Sequence, residues 1–160
     1  MNRQLVLLLF VVFAVLLRLI PHPPNFAPIT ALAIFSGYNY RSKVFGVLIP
    51  LLAMIASDVF LGFSLITPWV YISFITIGIL SSYRKKVNIN TTLLGSLIFF
   101  TISNFGVWVI GYPKTIEGLV LCYTMAVPFL INSVLGDLFF TGILKYSFNY
   151  TEKKWLTTIY

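Results

Sequence analysis

The sequence predicts an all-α polytopic membrane protein, a bundle of six transmembrane helices. Hydrophobic residues make up 59% of the 160 residues and charged residues only 9%, whereas soluble domains carry about a quarter charged residues. The mean hydropathy is +0.95. The apolar residues also form long runs separated by short polar breaks, which is typical of helices that cross a bilayer. We therefore expect one transmembrane domain over residues 1–160.

Six apolar runs mark the expected helices. The first, third, fifth and sixth approach or exceed the ~20 residues that a crossing needs. The second and fourth are short, so each can be tilted, broken or re-entrant. The runs cover residues 4–20, 26–37, 44–63, 69–82, 91–112 and 118–144.

The first run imitates a secretory signal peptide, because a basic start precedes an apolar core. It lacks a small-x-small cleavage motif after that core, and Arg18 and Pro21 follow instead. We interpret it as a retained first helix, with a cleaved signal peptide as the alternative.

The positions of lysine and arginine predict the orientation in the cell's inner (cytoplasmic) membrane. If the N-terminus is cytoplasmic, six helices leave only Arg18 and Lys114 on the outer side, as the positive-inside rule requires. Both termini are then expected inside. Basic residues spread over short loops also argue against a nucleic-acid surface. The inside residues are Arg3, Arg41, Lys43, Arg84, Lys85, Lys86, Lys145, Lys153 and Lys154.

Two aspartates, Asp58 and Asp137, lie within the apolar runs. A carboxylate in hydrocarbon costs about 2.5–3.5 kcal/mol, so each must face the bundle interior or reach water. Asp58 lies toward an outer end and Asp137 toward an inner end, so we do not expect a catalytic pair. Asp58 is a solute ligand or an interfacial cap. Asp137 reaches the cytoplasmic interface, or pairs with Lys145 or a basic loop residue.

Each aspartate follows an asparagine at the same interval, since Asn25 precedes Asp58 as Asn104 precedes Asp137. A true duplication would place the two halves in opposite orientations in the membrane. Few other positions match, so a diverged repeat and a chance echo both stay open.

Polar side chains recur on the fifth and sixth helices. Thr101, Asn104 and Trp108 share one helix face. On the sixth helix Asn132 lies one turn after Pro128, which leaves a backbone carbonyl free near mid-membrane. These groups either line a pocket or join helices by hydrogen bonds.

The segment RLIPHPPNFAP, residues 18–28, interrupts the apolar sequence with four prolines and the single histidine. Arg18 either contacts a solute or extends to lipid headgroups. His22 lies in a stiff extended stretch, and one histidine makes no metal cluster. Cys122 is expected to be a small buried hydrophobe. We expect this segment outside, between the first two helices.

Motifs of catalysis are missing from the sequence. It contains no Walker A loop, no His-Glu-x-x-His and no Gly-x-Ser-x-Gly. The aspartates are isolated, without the cluster that metal-dependent chemistry needs. We therefore expect no enzyme activity, no cofactor and no metal.

Four segments carry a resemblance to a known family. They are PNFAPITALAIFSG (24–37), SDVFLGF (57–63), SNFGVWVIGYP (103–113) and VPFLINSVLGDLFF (127–140). Together they resemble a family of small, uncharacterised bacterial integral membrane proteins over roughly residues 18–142. That family is similar in size, topology and pattern to the substrate-binding S components of energy-coupling-factor transporters.

The resemblance implies a membrane subunit that binds a small solute, of the vitamin or micronutrient class, near the extracellular side for uptake. It also implies a coupling membrane subunit and cytoplasmic ATPases as partners. The first helix departs from the S-component pattern, since it carries only Ala14 where a small-x-x-x-small motif is usual. The expected site comprises Arg18, His22 and Asn25 as lid and rim, Asp58, Asn104 and Trp108 as walls, and Asn132 as floor.

Two alternatives remain open from the sequence. In the first, the protein is a membrane scaffold or assembly subunit, and its polar faces join helices. In the second, it is an intramembrane lipid-modifying enzyme whose activity would depend on Asp58 or Asp137, against which the missing acid–base cluster argues.

Overall fold

The computed structural model describes residues 3–40 and 43–151, and over these residues the chain is helical without strands. Of the basic residues behind the predicted orientation, Arg41, Lys153 and Lys154 lie outside the described residues. The helices are α1 (Arg3–Leu19), α2 (Ile29–Tyr40), α3 (Lys43–Leu61), α4 (Thr67–Ser82), α5 (Ile89–Gly111) and α6 (Ile116–Thr151).

Helix ends follow local sequence signals. At the start of α5, the Asn88 side chain accepts a hydrogen bond from the Thr91 N–H at 3.0 Å. The Thr91 hydroxyl accepts one from the Asn88 N–H at 2.9 Å, which completes a capping box. At the end of α3, Gly62 adopts a φ of 91° and its N–H bonds the Asp58 carbonyl at 2.8 Å. Glycine suits this left-handed position because it has no Cβ.

Helix α2 is the centre of the bundle. It has 12 residues, which is about 18 Å of helix and short of a ~30 Å hydrocarbon core. It packs against α3, α4, α5 and α6, and residues 28–37 are all buried. The helix begins at Ile29 rather than at residue 26, because proline-rich chain precedes it. Other helices surround α2, which fits a sequence that is apolar on all sides.

Three glycines let α2, α3 and α4 approach closely. A Cβ placed on Gly46 would lie 2.8 Å from the Cα of Gly37 and 3.0 Å from the carbonyl oxygen of Gly78. Small residues of this kind permit backbone contact between helices. The close contact fixes the relative position of α3 and α4, which carry part of the site below.

Helices α5 and α6 are long and apolar enough to cross a membrane, by length and composition. Only 22% of the most apolar window of each is buried. Shorter apolar helical stretches cover Leu8–Leu19, Gly46–Leu61 and Thr67–Ser82. Large apolar side chains are exposed on the outer surfaces of these helices, among them Leu16, Leu52, Ile72, Leu97, Met125 and Leu135.

Candidate functional site

An ion pair joins the C-terminal turns of α1 and α3. Arg18 Nη2 lies 2.9 Å from Asp58 Oδ1, and the two side chains are only 17% and 6% exposed. Arg18 Nη1 also donates to the Ser57 hydroxyl. The hydroxyl of Tyr71 on α4 donates to the other carboxylate oxygen, Asp58 Oδ2, at 2.9 Å. The guanidinium therefore points into the bundle, and both oxygens of Asp58 are engaged.

Next to this ion pair lies a cavity of about 190 Å³, here called the arginine cavity. Its polar lining comes from α1, from the segment 20–28, from α2 and from α6. Apolar side chains of α3, α4 and α5, together with Ala27 and Ile29, form the rest of its wall. The lining residues are Arg18, His22, Asn25, Ala27, Ile29, Thr30, Met54, Val70, Phe74, Phe99 and Ser133.

A second cavity, of about 260 Å³ and here called the asparagine cavity, shares Asn25, Val70 and Phe99 with the first. It lies mainly between α4, α5 and α6. The two cavities are therefore neighbours that meet at these three side chains. The other residues that line it are Ile66, Ser103, Asn104, Val107, Tyr112, Cys122, Met125, Ala126 and Phe129.

Asn25, which lines both cavities, has an unusual backbone conformation. Its φ is 63°, in the left-handed region that asparagine adopts more readily than most residues. The next residue, Phe26, donates its N–H to the Pro23 carbonyl at 3.0 Å. The Phe26 ring packs against Phe140 of α6, with ring centroids 5.4 Å apart. The segment 20–28 is thus anchored on α6 at one point.

The remaining predicted site residues divide into those that reach a cavity and those that do not. His22 lines the arginine cavity and its Nδ1 lies 2.7 Å from the Ile20 carbonyl oxygen. Asn104 lines the asparagine cavity, and its amide donates to the Phe100 carbonyl at 2.7 Å. Asp58 lines neither cavity, and instead holds Arg18.

Two expected wall and floor residues point elsewhere. Trp108 Nε1 donates to the Pro113 carbonyl at 3.0 Å, and Lys114 Nζ lies 5.5 Å from its ring centroid. Trp108 thus fixes the turn between α5 and α6, and Val107 faces the asparagine cavity in its place. Asn132 lines neither cavity, whereas Ser133 does. Each of the two lies one residue from a side chain that does line a cavity, which is a rotation of about 100° on a helix.

Asp137 occupies a polar position that the sequence analysis did not resolve. It is 1% exposed and accepts a hydrogen bond from the Ser96 hydroxyl of α5 at 2.7 Å. The hydroxyl of Thr30 on α2 also hydrogen-bonds it. The expected pairing with Lys145 was wrong, because Lys145 donates instead to the Val87 carbonyl at 3.1 Å. Among the described residues Asp137 pairs with no basic loop residue, and its side chain does not reach the surface of the protein.

Thr30, Ser96 and Ser133 were not singled out by the sequence analysis. Each is a single small hydroxyl residue within an apolar run, and most such residues bond only to their own helix. Ser103 does so here, with its hydroxyl 2.6 Å from the Phe99 carbonyl oxygen. The sequence feature that could have identified these residues is an aspartate within an apolar run, because its carboxylate needs hydroxyl partners on other helices.

Over the described residues, these features define a helical protein with two adjoining cavities and with two helices that are long and apolar enough to cross a membrane, by length and composition. The chain belongs to the family of unknown function DUF6580, which matches residues 1–158. No curated protein and no solved structure gives a significant match.

Proposed function

We propose that this protein is a six-helix integral membrane protein that binds a small solute in its two adjoining cavities for uptake. The observation that carries the proposal is the wall shared by the cavities at Asn25. A few fixed polar groups face aromatic and aliphatic walls, which is the usual composition of a small-molecule site. Arg18, His22 and Asn25 supply polar groups on one side, and Asn104 on the other.

The cavity volumes bear on how a solute would be held. Volumes of about 190 and 260 Å³ are each below the ~300 Å³ at which drug-sized sites begin. A vitamin-sized molecule would therefore occupy both cavities and displace the Asn25 side chain between them. The segment 20–28 would then act as the lid that moves on binding.

A membrane environment is supported by the surface of the bundle. The apolar windows of α5 and α6 are 22% buried, whereas the core helix of a soluble protein is mostly buried. Exposed leucine and other large apolar side chains on the remaining helices suit lipid as the solvent. In the proposed topology all six helices lie in the inner membrane, with both termini cytoplasmic. The basic loop Arg84–Lys86 would be cytoplasmic and the segment 20–28 extracellular.

The proposed partners, a coupling membrane subunit and cytoplasmic ATPases, derive from the resemblance to S components. Helix α1 does not offer the small-residue surface used for such docking. Its Ala14 is 1% exposed and belongs to the core. Exposed leucine, valine and phenylalanine side chains cover the described outer face of α1. Any coupling subunit would therefore contact a bulky apolar surface.

The scaffold remains the second candidate, and the Arg18–Asp58–Tyr71 connection favours it, because that network joins three helices without needing a ligand. A lipid-modifying enzyme has less support. Both oxygens of Asp58 are already bonded, so this carboxylate is poorly placed to accept a proton from a substrate.

A ligand screen separates the first two candidates. Purified protein in detergent is tested by thermal shift against vitamins and cofactor precursors, and by native mass spectrometry for co-purifying molecules. A ligand that binds the folded state raises the apparent melting temperature. Absence of any ligand across a broad panel would favour the scaffold.

Any ligand found is then tested on matched variants. Asn25→Gly removes the shared side chain while allowing the positive φ, and Asn104→Ala removes the amide of the second cavity. We expect each to weaken binding at least about tenfold, the loss expected for one or two buried hydrogen bonds. The control is Thr124→Ala, because Thr124 is exposed and bonds only its own helix at Val120. Wild-type affinity in both cavity variants would refute this site.

A further inference from the structure

Asp137 is a buried carboxylate with no cationic partner in the described part of the chain. Its contacts are the hydroxyls of Ser96 and Thr30. Two basic side chains of the bundle are engaged elsewhere: Arg18 pairs with Asp58 and Lys145 donates to the Val87 carbonyl. Two hydroxyl groups supply hydrogen bonds and no positive charge.

The helices around Asp137 carry few titratable groups. Helix α5 has none in its sequence, and α2 has only Tyr38 and Tyr40. On α6 itself the titratable residues are Glu117, Cys122, Tyr123, Lys145, Tyr146 and Tyr150. From the segment 20–28, His22 faces the arginine cavity, which Thr30 and Ser133 also line.

An ionised carboxylate in such a place is energetically unfavourable. Transferring an unpaired ion to a protein interior costs several kcal/mol even after relaxation, and the group ordinarily becomes neutral instead. A carboxylate becomes neutral by taking up a proton or by binding a metal cation. With a side chain 1% exposed, Asp137 is subject to this constraint throughout its native state.

A second buried polar group lies on the same face of α6 and lacks a partner in the part of the chain that the structure describes. Among the described residues, the Thr141 hydroxyl is the buried side-chain polar atom that lacks a hydrogen-bond partner. Thr141 follows Asp137 by four residues, so both lie on one face of α6. Carboxylate and hydroxyl oxygens are the ligands that hard monovalent cations take. We propose that Asp137, with the hydroxyls of Ser96, Thr30 and Thr141, forms a binding site for a monovalent cation, either a proton or Na⁺.

Two hydroxyl residues lie between the site and the arginine cavity. Thr30 both contacts Asp137 and lines that cavity, and Ser133 lies one helical turn from Asp137 on α6 and lines it too. A cation would enter past these two hydroxyls. The proposal does not depend on solute binding, and its test below uses no solute, so it can fail or hold independently of the proposed function.

Infrared spectroscopy tests whether the bound cation is a proton. It uses purified protein labelled with ¹³C at the aspartate side-chain carboxyl. The chain has two aspartates, and Asp58 is ion-paired. In sodium-free buffer at neutral pH, a bound proton gives an isotope-shifted carboxylic acid C=O band. We expect this band to be lost in Asp137→Asn and retained in Glu117→Gln, which removes an exposed carboxylate of the same helix.

Thermal unfolding at constant ionic strength tests whether the bound cation is Na⁺. NaCl replaces choline chloride in steps, at a pH where no acid band is present. Bound Na⁺ raises the melting temperature in proportion to the logarithm of its concentration above the dissociation constant. We expect the rise in wild type and in Glu117→Gln, and its loss in Asp137→Asn.

If Asp137→Asn does not fold, Ser96→Ala decides the assignment. It removes a hydroxyl that contacts Asp137, so it should shift the acid band or weaken sodium binding several-fold. An acid band at Asp137 or a sodium-specific rise supports the proposal and identifies the cation. An ionised Asp137 together with equal stability in sodium and choline overturns it.

Discussion

Asp58 and Asp137 are both buried aspartates on apolar helices, yet different kinds of group surround them. Asp58 has a guanidinium at 2.9 Å and a tyrosine hydroxyl at 2.9 Å. Among the described residues, the side chains that hydrogen-bond Asp137 are hydroxyl groups, with the Ser96 hydroxyl at 2.7 Å. The first carboxylate is therefore compensated by charge within the protein, and the second is not.

This difference gives Asp58 a structural role and Asp137 a proposed binding role. A compensated pair such as Arg18–Asp58 holds α1 against α3 and needs no ligand. An uncompensated carboxylate requires something from solution to neutralise it. In sequence the two aspartates look equivalent, since each follows an asparagine at the same interval. They differ in the residues that contact them from other helices, and no local sequence pattern identifies those residues.

The largest expected loss of stability follows from breaking the Arg18–Asp58 ion pair. Arg18→Met should lower the free energy of unfolding by about 3–5 kcal/mol, because it leaves the Asp58 carboxylate buried and unpaired. The double variant Arg18→Met/Asp58→Leu should recover most of the loss. Unfolding in denaturant or by heat measures both. The control Lys85→Met removes an exposed cation, and a loss at Arg18 no larger than this control would contradict a buried pair.

A direct comparison of the two aspartates comes from the same substitution at each. Asp58→Asn leaves the Arg18 charge without a partner and should destabilise by about 3 kcal/mol. Asp137→Asn should change stability by less than about 1 kcal/mol, since a neutral amide can accept the hydrogen bond from Ser96. Thermal unfolding at neutral pH in sodium-free buffer measures the difference. Equal losses at both positions would mean that Asp137 also has a charged partner.

Hydrogen bonds to the two carboxylates should differ in strength. Tyr71→Phe removes a bond to an ionised group and should cost about 1.5–3 kcal/mol. If Asp137 is neutral, Ser96→Ala removes a bond between neutral groups and should cost only about 0.5–1.5 kcal/mol. Stability measurements on both variants test this order, with Thr101→Ala as a control whose hydroxyl bonds only its own helix. The reverse order would indicate a charged Asp137.

The smallest effect is expected at Thr141. Thr141→Val replaces a buried hydroxyl that has no partner with a methyl group of similar shape. In sodium-free buffer we expect a gain of about 1 kcal/mol, because an unsatisfied buried hydroxyl is unfavourable. If Na⁺ is the ligand, the same variant should lose part of the sodium-dependent rise in melting temperature. A loss of stability without sodium would show that this hydroxyl has a partner of another kind.

Part of the candidate site could be predicted from the sequence. Arg18, His22, Asn25 and Asn104 were expected to belong to one site, and the structure places them around two adjoining cavities. Trp108 and Asn132 were expected there too, and each lies one residue from the side chain that faces a cavity. Helical periodicity predicts which residues share a face, but an error of about 100° in rotation selects the wrong neighbour.

The sequence by itself determined the helical runs, their apolar character and the scarcity of charge, because each depends on composition and on patterns within one segment. Only the tertiary structure decided that α2 is central and that Asp58 and Asp137 have different partners. Ser96 and Asp137 are 41 residues apart in the chain. Contact between them depends on how α5 and α6 rotate and pack, which is fixed by the whole bundle rather than by either helix.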